Sequence, residues 1–211
     1  MLSVSEIFHS VQGEGPRAGY PVVFLRTAGC NLRCTWCDTP YALELRQGER
    51  RSPADVATEI KAFDCPHLVI TGGEPMIQQA ALAEVLKELP GFFVEIETNG
   101  GFASEIDQYI DQYNCSPKLP GSGNKAYELK LPPNEKTWYK FVVDNESDLD
   151  ETLQYISDNQ LPHDRIRLMP QGETSEVSKE KSLWLIEKCK ELGFIFNPRL
   201  HVLIWGNTRG T

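Results

Sequence analysis

The sequence lacks a long apolar run, an excess of positive charge and a second pair of closely spaced cysteines. None of its hydrophobic stretches approaches the roughly 20 residues that span a membrane, and the first residues do not show the basic-then-apolar order of a secretory signal. The formal net charge of −9 argues against a nucleic-acid backbone as partner, because phosphate binding needs a basic face. We therefore expect a cytoplasmic protein with neither membrane nor nucleic acid among its partners.

The chain length sets the domain count. With 211 residues, of which 40% are hydrophobic and 24% charged, the chain is long enough for one well-buried domain and too short for two of ordinary size. Predicted strands lie at 22–26, 67–71, 92–98, 113–116, 138–143 and 165–169. Several are continuous apolar or β-branched runs, which is typical of strands covered on both faces.

Predicted amphipathic helices lie between these strands. One begins at Ser52-Pro53, where a capping residue precedes proline, and three others carry apolar stripes: Leu82, Val85, Leu86 and Leu89; Leu149, Leu153 and Ile156; and Leu185, Cys189 and Leu192. Alternating strands and helices imply parallel strands joined by right-handed crossovers. The predicted fold class is α/β, a partial, trimmed (β/α)6-type barrel with parallel strands.

One stretch interrupts the alternation. Residues 118–136, which include Pro120, Gly121, Gly123, Pro132 and Pro133, show no helical stripe. The crossover after the fourth predicted strand is therefore predicted to be a loop. Because a missing helix leaves sheet surface uncovered, we expect a homodimer in which a second copy covers it.

Three cysteines follow the first predicted strand in a C-x3-C-x2-C pattern, at Cys30, Cys34 and Cys37. Three thiolates can hold three irons of a cubane 4Fe-4S cluster, whereas a cluster used only for electron transfer normally has four protein ligands. A structural zinc site would need a fourth ligand and usually a second close pair. The remaining cysteines, Cys65, Cys115 and Cys189, stand singly beside apolar residues and are predicted to be small buried side chains.

Short polar peptides follow most of the other predicted strands. They are 71–75, 97–100, 116–118 and 169–172, and Lys140 lies within its own strand. In parallel α/β sheets, ligands bind beyond the carboxyl ends of the strands, so these peptides should converge on one rim. Gly72 and Gly73 would let the backbone approach a ligand closely.

The cysteine pattern, together with Gly72-Gly73-Glu74-Pro75 after the second strand, resembles the radical S-adenosylmethionine (SAM) superfamily. A closer resemblance, to the 7-carboxy-7-deazaguanine synthase family, lies in residues 7–15, 37–39, 138–143 and 168–172 and spans nearly the entire chain. It implies a radical ring contraction of 6-carboxy-5,6,7,8-tetrahydropterin with loss of ammonia, which is a step toward queuosine and related 7-deazapurines. It also implies a 4Fe-4S cluster, SAM, Mg²⁺ and a flavodoxin or ferredoxin-like reductant.

The resemblance also implies roles for residues and segments. The chain 1–211 is expected to be one radical SAM domain with an N-terminal substrate-binding extension (about 1–20) and a C-terminal pocket-closing segment (about 194–211). Cys30, Cys34 and Cys37 would hold the cluster, and Thr39 would bind Mg²⁺. The substrate-binding positions would be Val11, Gln12, Gly13, Arg26, Thr71, His201 and Thr211. The cofactor-binding positions would be Gly73, Glu74, Asn99, Ser116, Pro117, Lys118 and Gln171.

Alternatives remain open at this point. Thr39 could simply begin a turn before Pro40, Arg26 could form a salt bridge at the rim, and His201 could be structural. The whole chain could instead be an activating enzyme that installs a glycyl radical on a partner protein, or a non-catalytic metal-binding module. The segment 12–15 and Thr39 favour a small anionic substrate.

Overall fold

A single nine-stranded sheet forms the centre of the computed structural model, which describes residues 1–131, 134–206 and 208–211. The strands, in chain order, are β1 (Leu2–Val11), β2 (Pro21–Thr27), β3 (Glu49–Arg51), β4 (His67–Gly72), β5 (Phe93–Thr98), β6 (Gln112–Cys115), β7 (Thr137–Val143), β8 (Ile166–Pro170) and β9 (Ile195–Phe196). Their order across the sheet is β3-β1-β2-β4-β5-β6-β7-β8-β9. Pro132 and Pro133 of the predicted loop lie outside the described residues.

All six predicted strands are present, as β2, β4, β5, β6, β7 and β8, with bounds that differ by one residue or less. From β2 to β9 every neighbouring pair is parallel, whereas β1 pairs antiparallel with both β2 and β3. No pairing among the described residues joins β3 to β9, so the barrel stays open. The prediction of an α/β fold with a partial barrel is confirmed.

The helices are α1 (Pro53–Lys61), α2 (Gln79–Lys87), α3 (Glu146–Asp158), α4 (Ser175–Leu192) and α5 (Leu200–Trp205). Ser52 caps α1 as predicted, because its side chain accepts a hydrogen bond from the Asp55 backbone N–H. Leu82, Leu149 and Leu185, taken from the three predicted stripes, are buried in the core. No helix of the described residues is long and apolar enough to cross a membrane.

Two crossovers lack an α-helix. Between β6 and β7 the described residues contain only a 3-10 turn at Pro120–Ser122, and between β5 and β6 only one at Asp107–Tyr109. The loop predicted after the fourth strand is therefore confirmed in its described part. The second missing helix was not predicted.

Within the segment predicted as an N-terminal substrate-binding extension, residues 2–11 form β1, a strand inside the sheet that was not predicted. Its register shifts between Val4 and Glu6, and such a bulge breaks the alternation that identifies a strand. The predicted burial of the single cysteines holds for Cys115 and Cys189 and is wrong for Cys65. The Cys65 thiol is partly exposed beside the Pro21 carbonyl, 3.5 Å away.

Candidate active site

A cavity of about 530 Å³ opens at the carboxyl ends of the parallel strands. It brings together every predicted site residue except Glu74 and Pro117. The predicted residues that line it are Val11, Gln12, Gly13, Arg26, Cys30, Cys34, Cys37, Thr39, Thr71, Gly73, Asn99, Ser116, Lys118, Gln171, His201 and Thr211. The expected convergence of strand-end peptides on one rim is what the structure shows.

The loop that carries the three cysteines begins at the end of β2. Its base is fixed by backbone bonds from Gly29 N to the Ala42 carbonyl (2.8 Å) and from Cys30 N to the Leu43 carbonyl (2.9 Å). All three thiols are free and partly exposed. Burial raises the pKa of both the Cys30 and Cys37 thiols, so a bound cation is needed to keep these sulfurs as thiolates at neutral pH.

The spacing of these sulfurs bears on the kind of metal they could hold. Among residues 1–131, 134–206 and 208–211, no three His, Cys, Asp or Glu side chains are gathered closely enough to surround a single metal ion. A mononuclear zinc site needs its ligands packed about one point, whereas a cluster spreads its thiolates over several irons. Three cysteines at one cavity are the number that leaves one iron of a cubane cluster without a protein ligand.

The turn after β4 packs directly against the base of the cysteine loop. A Cβ atom on Gly73 would lie 2.4 Å from the Gly29 carbonyl oxygen and 2.8 Å from that of Ala42. Glu74 N donates to the Gly29 carbonyl at 2.8 Å. Gly73 is therefore glycine because two backbone segments meet there.

Glu74 lies behind the cavity wall, fully buried. Its carboxylate accepts hydrogen bonds from Asn99 N (2.7 Å), Met76 N (3.0 Å) and Thr98 Oγ1 (2.8 Å), and burial raises its pKa. The side chain therefore joins the ends of β4 and β5. Glu74 does not itself line the cavity, but it binds Thr98 and Asn99, which do.

Four of the predicted cofactor-binding side chains form hydrogen bonds to other side chains. Asn99 Nδ2 donates to Asn31 Oδ1 (2.9 Å), Lys118 Nζ donates to Ser116 Oγ (2.7 Å), and Gln171 accepts from Lys181. Burial lowers the pKa of Lys118. These contacts fix the rotamers of the polar groups on this wall.

A charge cluster, which we call the Glu14 cluster, also lines the cavity and consists of Glu14, Glu97, Lys140 and Arg199. Lys140 and Arg199 are buried, and the two carboxylates are partly exposed. Lys140 Nζ bridges the two carboxylates, at 2.8 Å from Glu97. Arg199 Nε lies 3.1 Å from Glu14. None of the four was among the predicted site residues. Glu14 nevertheless lies in the segment 7–15, Glu97 begins the peptide 97–100, and Lys140 was noted within its own strand.

Electrostatics sets the charge state of this cluster. Burial alone would raise the pKa of Glu14, but Lys140 and Arg199 hold it well below its usual range. Burial raises the pKa of Glu97 in spite of Lys140. Burial would lower the pKa of Lys140, and the two carboxylates more than reverse this effect. Glu14 and Lys140 therefore stay ionised across the neutral range, and Glu97 is the member that takes up a proton most readily.

The N-terminal and C-terminal segments contact each other at the cavity. A Cβ on Gly13 would lie 2.1 Å from His201 Nδ1, so only glycine fits against this ring. Leu200 N donates to the Gly13 carbonyl at 2.9 Å, and His201 Nε2 lies 3.9 Å from Glu14. Burial lowers the pKa of His201, which favours its neutral form at pH 7.

Gln12 also faces the barrel interior. Its Nε2 lies 3.2 Å from Glu95 and 3.3 Å from Glu97, and its Oε1 accepts from Glu14 N. Glu95 is fully buried and has further contacts with His67 (2.5 Å), Gln112 (2.9 Å) and Asn114 (2.8 Å). The polar side chains around Glu95 thus hold Gln12 in place at the cavity.

Arg26 forms a salt bridge at the rim, which was the alternative to a substrate-binding role: its Nε lies 2.7 Å from Glu6. Glu6 also binds Arg209 Nε (2.8 Å) and the Tyr41 hydroxyl (3.0 Å). Burial would raise the pKa of Glu6, but its bonds to Arg209 and Arg26 lower it. Arg209 also stacks over the Tyr41 ring at 4.3 Å, which holds the last residues at the cavity mouth.

Thr39 lies beside the cysteine loop, with Oγ1 3.9 Å from Cys37 Sγ and 3.4 Å from Asp38 Oδ1. It also caps the turn that begins at Pro40, since Ala42 N donates to its carbonyl. The structure therefore shows both the turn and a hydroxyl that lines the cavity. Asp38 in turn pairs with Arg199, which ties this loop to the Glu14 cluster.

Three free sulfurs beside a glycine turn at the top of a partial barrel define the radical SAM class, and sequence comparison supports it. A profile of the Radical SAM superfamily matches residues 24–117. The 7-carboxy-7-deazaguanine synthases of Pyrobaculum aerophilum and Rhodopirellula baltica are 38% and 35% identical to this chain. The two alignments cover 99% and 100% of this chain, and 97% and 89% of the respective relatives.

Structural comparison agrees with the sequence comparison. The crystal structure of QueE from Escherichia coli has a TM-score of 0.71 at 25% identity, with 95% of this chain and 94% of that chain covered. Streptococcus suis SuiB, at 13% identity and a TM-score of 0.55, shares the fold alone. The chain belongs to the 7-carboxy-7-deazaguanine synthase family of radical SAM enzymes. Membership implies a 4Fe-4S cluster and SAM as cofactors.

Proposed function

We propose that this protein converts 6-carboxy-5,6,7,8-tetrahydropterin into 7-carboxy-7-deazaguanine with loss of ammonia. The observation that carries the proposal is one cavity that is lined both by the three cysteines and by the Glu14 cluster. Fixed buried charges suit a small heterocycle with many donors and acceptors. The relatives that match the chain over its full length are named 7-carboxy-7-deazaguanine synthases, which disfavours the glycyl-radical alternative.

The residues of the cysteine wall fit the cofactors. Cys30, Cys34 and Cys37 would hold the cluster, and Gly73 would leave backbone groups open toward the methionine part of SAM. The other cofactor-binding positions would be Asn99, Ser116, Lys118 and Gln171, supported from behind by Glu74 and Pro117. When bound, cluster and SAM supply the 5′-deoxyadenosyl radical that starts the reaction.

The other residues that line the cavity would bind and orient the substrate. Arg26 would bind the substrate carboxylate, with Thr71 and the Thr211 end of the chain beside it. Val11, Gln12 and Gly13 would contact the pterin ring, and neutral His201 would cover it. Glu14 would accept ring N–H groups because Lys140 and Arg199 keep it ionised. Glu97, whose pKa burial raises, would take the proton that the ring loses on aromatisation and return it to the amine, which leaves as ammonia.

We further propose that Thr39 helps to bind Mg²⁺ at the substrate carboxylate. Its hydroxyl and the neighbouring Asp38 carboxylate are hard oxygen donors, which Mg²⁺ prefers to the adjacent sulfurs. The protein's own contribution here is to keep an oxygen donor at a fixed place on a sulfur-rich loop.

We propose the following for domain organisation and partners. The chain is one radical SAM domain in which residues of about 1–20 bind substrate and those of about 194–211 close the pocket. Its reductant is a flavodoxin or ferredoxin-like protein of the cytoplasm, and its product enters queuosine or another 7-deazapurine. The functional unit is a homodimer.

The direct test is anaerobic incubation of the reconstituted protein with SAM, dithionite, Mg²⁺ and the tetrahydropterin. We expect 7-carboxy-7-deazaguanine, identified by mass and ultraviolet spectrum, together with methionine and 5′-deoxyadenosine. Cys34→Ala should abolish all three products, and the matched control Cys65→Ala, outside the cavity, should not. Formation of 5′-deoxyadenosine without deazapurine would show that the substrate assignment is wrong.

A further inference from the structure

The loop that replaces the helix after β6 lies against the cysteine loop. Thr35 N donates to the Ser122 carbonyl at 3.0 Å, and the Thr35 hydroxyl donates to the same oxygen at 3.3 Å. Gly123 adopts a φ of +83°, and a Cβ there would lie 2.6 Å from Thr35 Cγ2. The two loops are therefore in van der Waals contact.

Asn124 follows this contact and points at a cluster ligand. Its Nδ2 lies 3.2 Å from Cys34 Sγ and 2.9 Å from Ser122 Oγ. Its Oδ1 accepts from Arg33 N at 2.9 Å. Because a backbone N–H must face the amide oxygen, the orientation of the amide is fixed and its NH₂ group faces the sulfur.

We propose that Asn124 is a positioning residue that sets the reduction potential of the cluster through an N–H···S hydrogen bond to Cys34. The inference rests on the proposed function only in that the three cysteines hold a cluster. Hydrogen bonds to the sulfurs are among the factors that set cluster potentials. One-electron reduction adds negative charge to the cluster and its sulfurs, so a donor stabilises the reduced form more than the oxidised form and raises the potential.

Two further observations separate this role from a purely structural one. The Thr35–Ser122 bonds hold the loops together without the Asn124 side chain. The amide oxygen and the amide nitrogen also have different partners, so substitution can remove the donor and keep the acceptor.

The test is the midpoint potential of the reconstituted cluster, measured by anaerobic redox titration with electron paramagnetic resonance (EPR) detection and without SAM or substrate. Asn124→Leu keeps the shape and loses all three hydrogen bonds of the side chain, and Asn124→Asp keeps the acceptor for Arg33 N. We expect the equilibrium constant for cluster reduction to fall two- to tenfold in Asn124→Leu, where tenfold equals 59 mV for one electron. Asn124→Asp should fall at least as far, because a carboxylate adds negative charge. The exposed neighbour variant Ala126→Ser should match wild type.

A fully loaded Asn124→Leu at the wild-type potential overturns the proposal, as does Asn124→Asp at or above it. If neither variant assembles a cluster, wild-type protein with ¹⁵N in its asparagine side-chain amides decides the matter. Pulsed EPR of its reduced cluster should show a ¹⁵N coupling, and its absence overturns the proposal. Failure of the proposed function is distinguished by the product assay on wild type, which uses neither variant.

Discussion

Lys140 is the residue on which the charge balance of the cavity depends. It is 5% exposed and neutralises Glu14 and Glu97 from one position. Removal of one partner from a buried ion pair leaves an uncompensated charge, which costs about 3–5 kcal/mol. The site thus depends on this lysine for stability as well as for binding.

We expect Lys140→Met to lower the free energy of unfolding by about 3 kcal/mol at pH 8 and by less at pH 5.5. Glu97 already has a pKa raised by burial, and loss of Lys140 raises it further. A carboxyl whose pKa is raised in the folded state binds protons more readily there than in the unfolded state, so lowering the pH stabilises the folded variant. Urea unfolding of wild type and variant at both pH values measures this difference, and a pH-independent loss contradicts it.

Gly73 is constrained by close approach of backbone. Gly73→Ala would place a methyl group against two carbonyl oxygens, which cannot move as a flexible side chain can. We expect a loss of about 1–3 kcal/mol of stability, the range for overpacking, together with a lower iron content after reconstitution. Gly121→Ala is the matched control, because it also lacks a left-handed φ and its Cβ would approach only the movable side-chain ends of Asp148 and Glu151. Full iron in Gly73→Ala would show that the turn tolerates the methyl group.

At the scale of elements, six of the seven parallel strands were predictable, because most are short apolar or β-branched runs that need only local sequence. The two-residue β9 was not predicted. β1 was not predicted, because its bulge and its polar residues hide the alternation. The six-residue α5 is shorter than the periodicity that reveals a helix. The Glu14 cluster was beyond sequence analysis for another reason: Lys140 is 126 residues from Glu14 and Arg199 is 185 residues from it, so no spacing rule joins them.

The C-terminal segment is held at the cavity mouth by Arg209 on Glu6 and Tyr41. An exposed ion pair contributes about 0.5–1 kcal/mol, which corresponds to a factor of two to five. We expect Arg209→Gln to raise the KM for the tetrahydropterin by that factor and to leave iron content and the kcat with saturating substrate nearly unchanged. Steady-state kinetics gives both values, and a fall in kcat at unchanged KM would place the effect elsewhere.

At the scale of the whole molecule, α5 packs beside α4 and both expose apolar side chains. Leu183 is 68% exposed and Ile204 is 55% exposed, and Ile186, Leu203 and Trp205 add to the same two helices. This surface differs from the one predicted, which was the sheet left uncovered by the loop after β6. Exposed apolar patches of this kind are typical of protein interfaces.

We expect light scattering to give the mass of two chains, because α4 and α5 would bury these side chains against a second copy. Leu183→Glu combined with Ile204→Glu should shift the mass to one chain and leave cluster content unchanged. The control pair, Lys179→Glu with Lys190→Glu on α4, should remain dimeric. A single-chain mass for wild type would remove the dimer from the proposal.

The contacts of Glu14 with Arg199 and of the Gly13 carbonyl with Leu200 have a consequence for biosynthesis. A polypeptide emerges from the ribosome in order and folds in the same direction, so Arg199 and Leu200 become available only after the three cysteines have emerged. A nascent chain that already displays its cysteines therefore has no closed chamber around them. A cluster loaded before residues 199–201 have emerged would lie in an incomplete site, because Glu14 and Gly13 would still lack these partners.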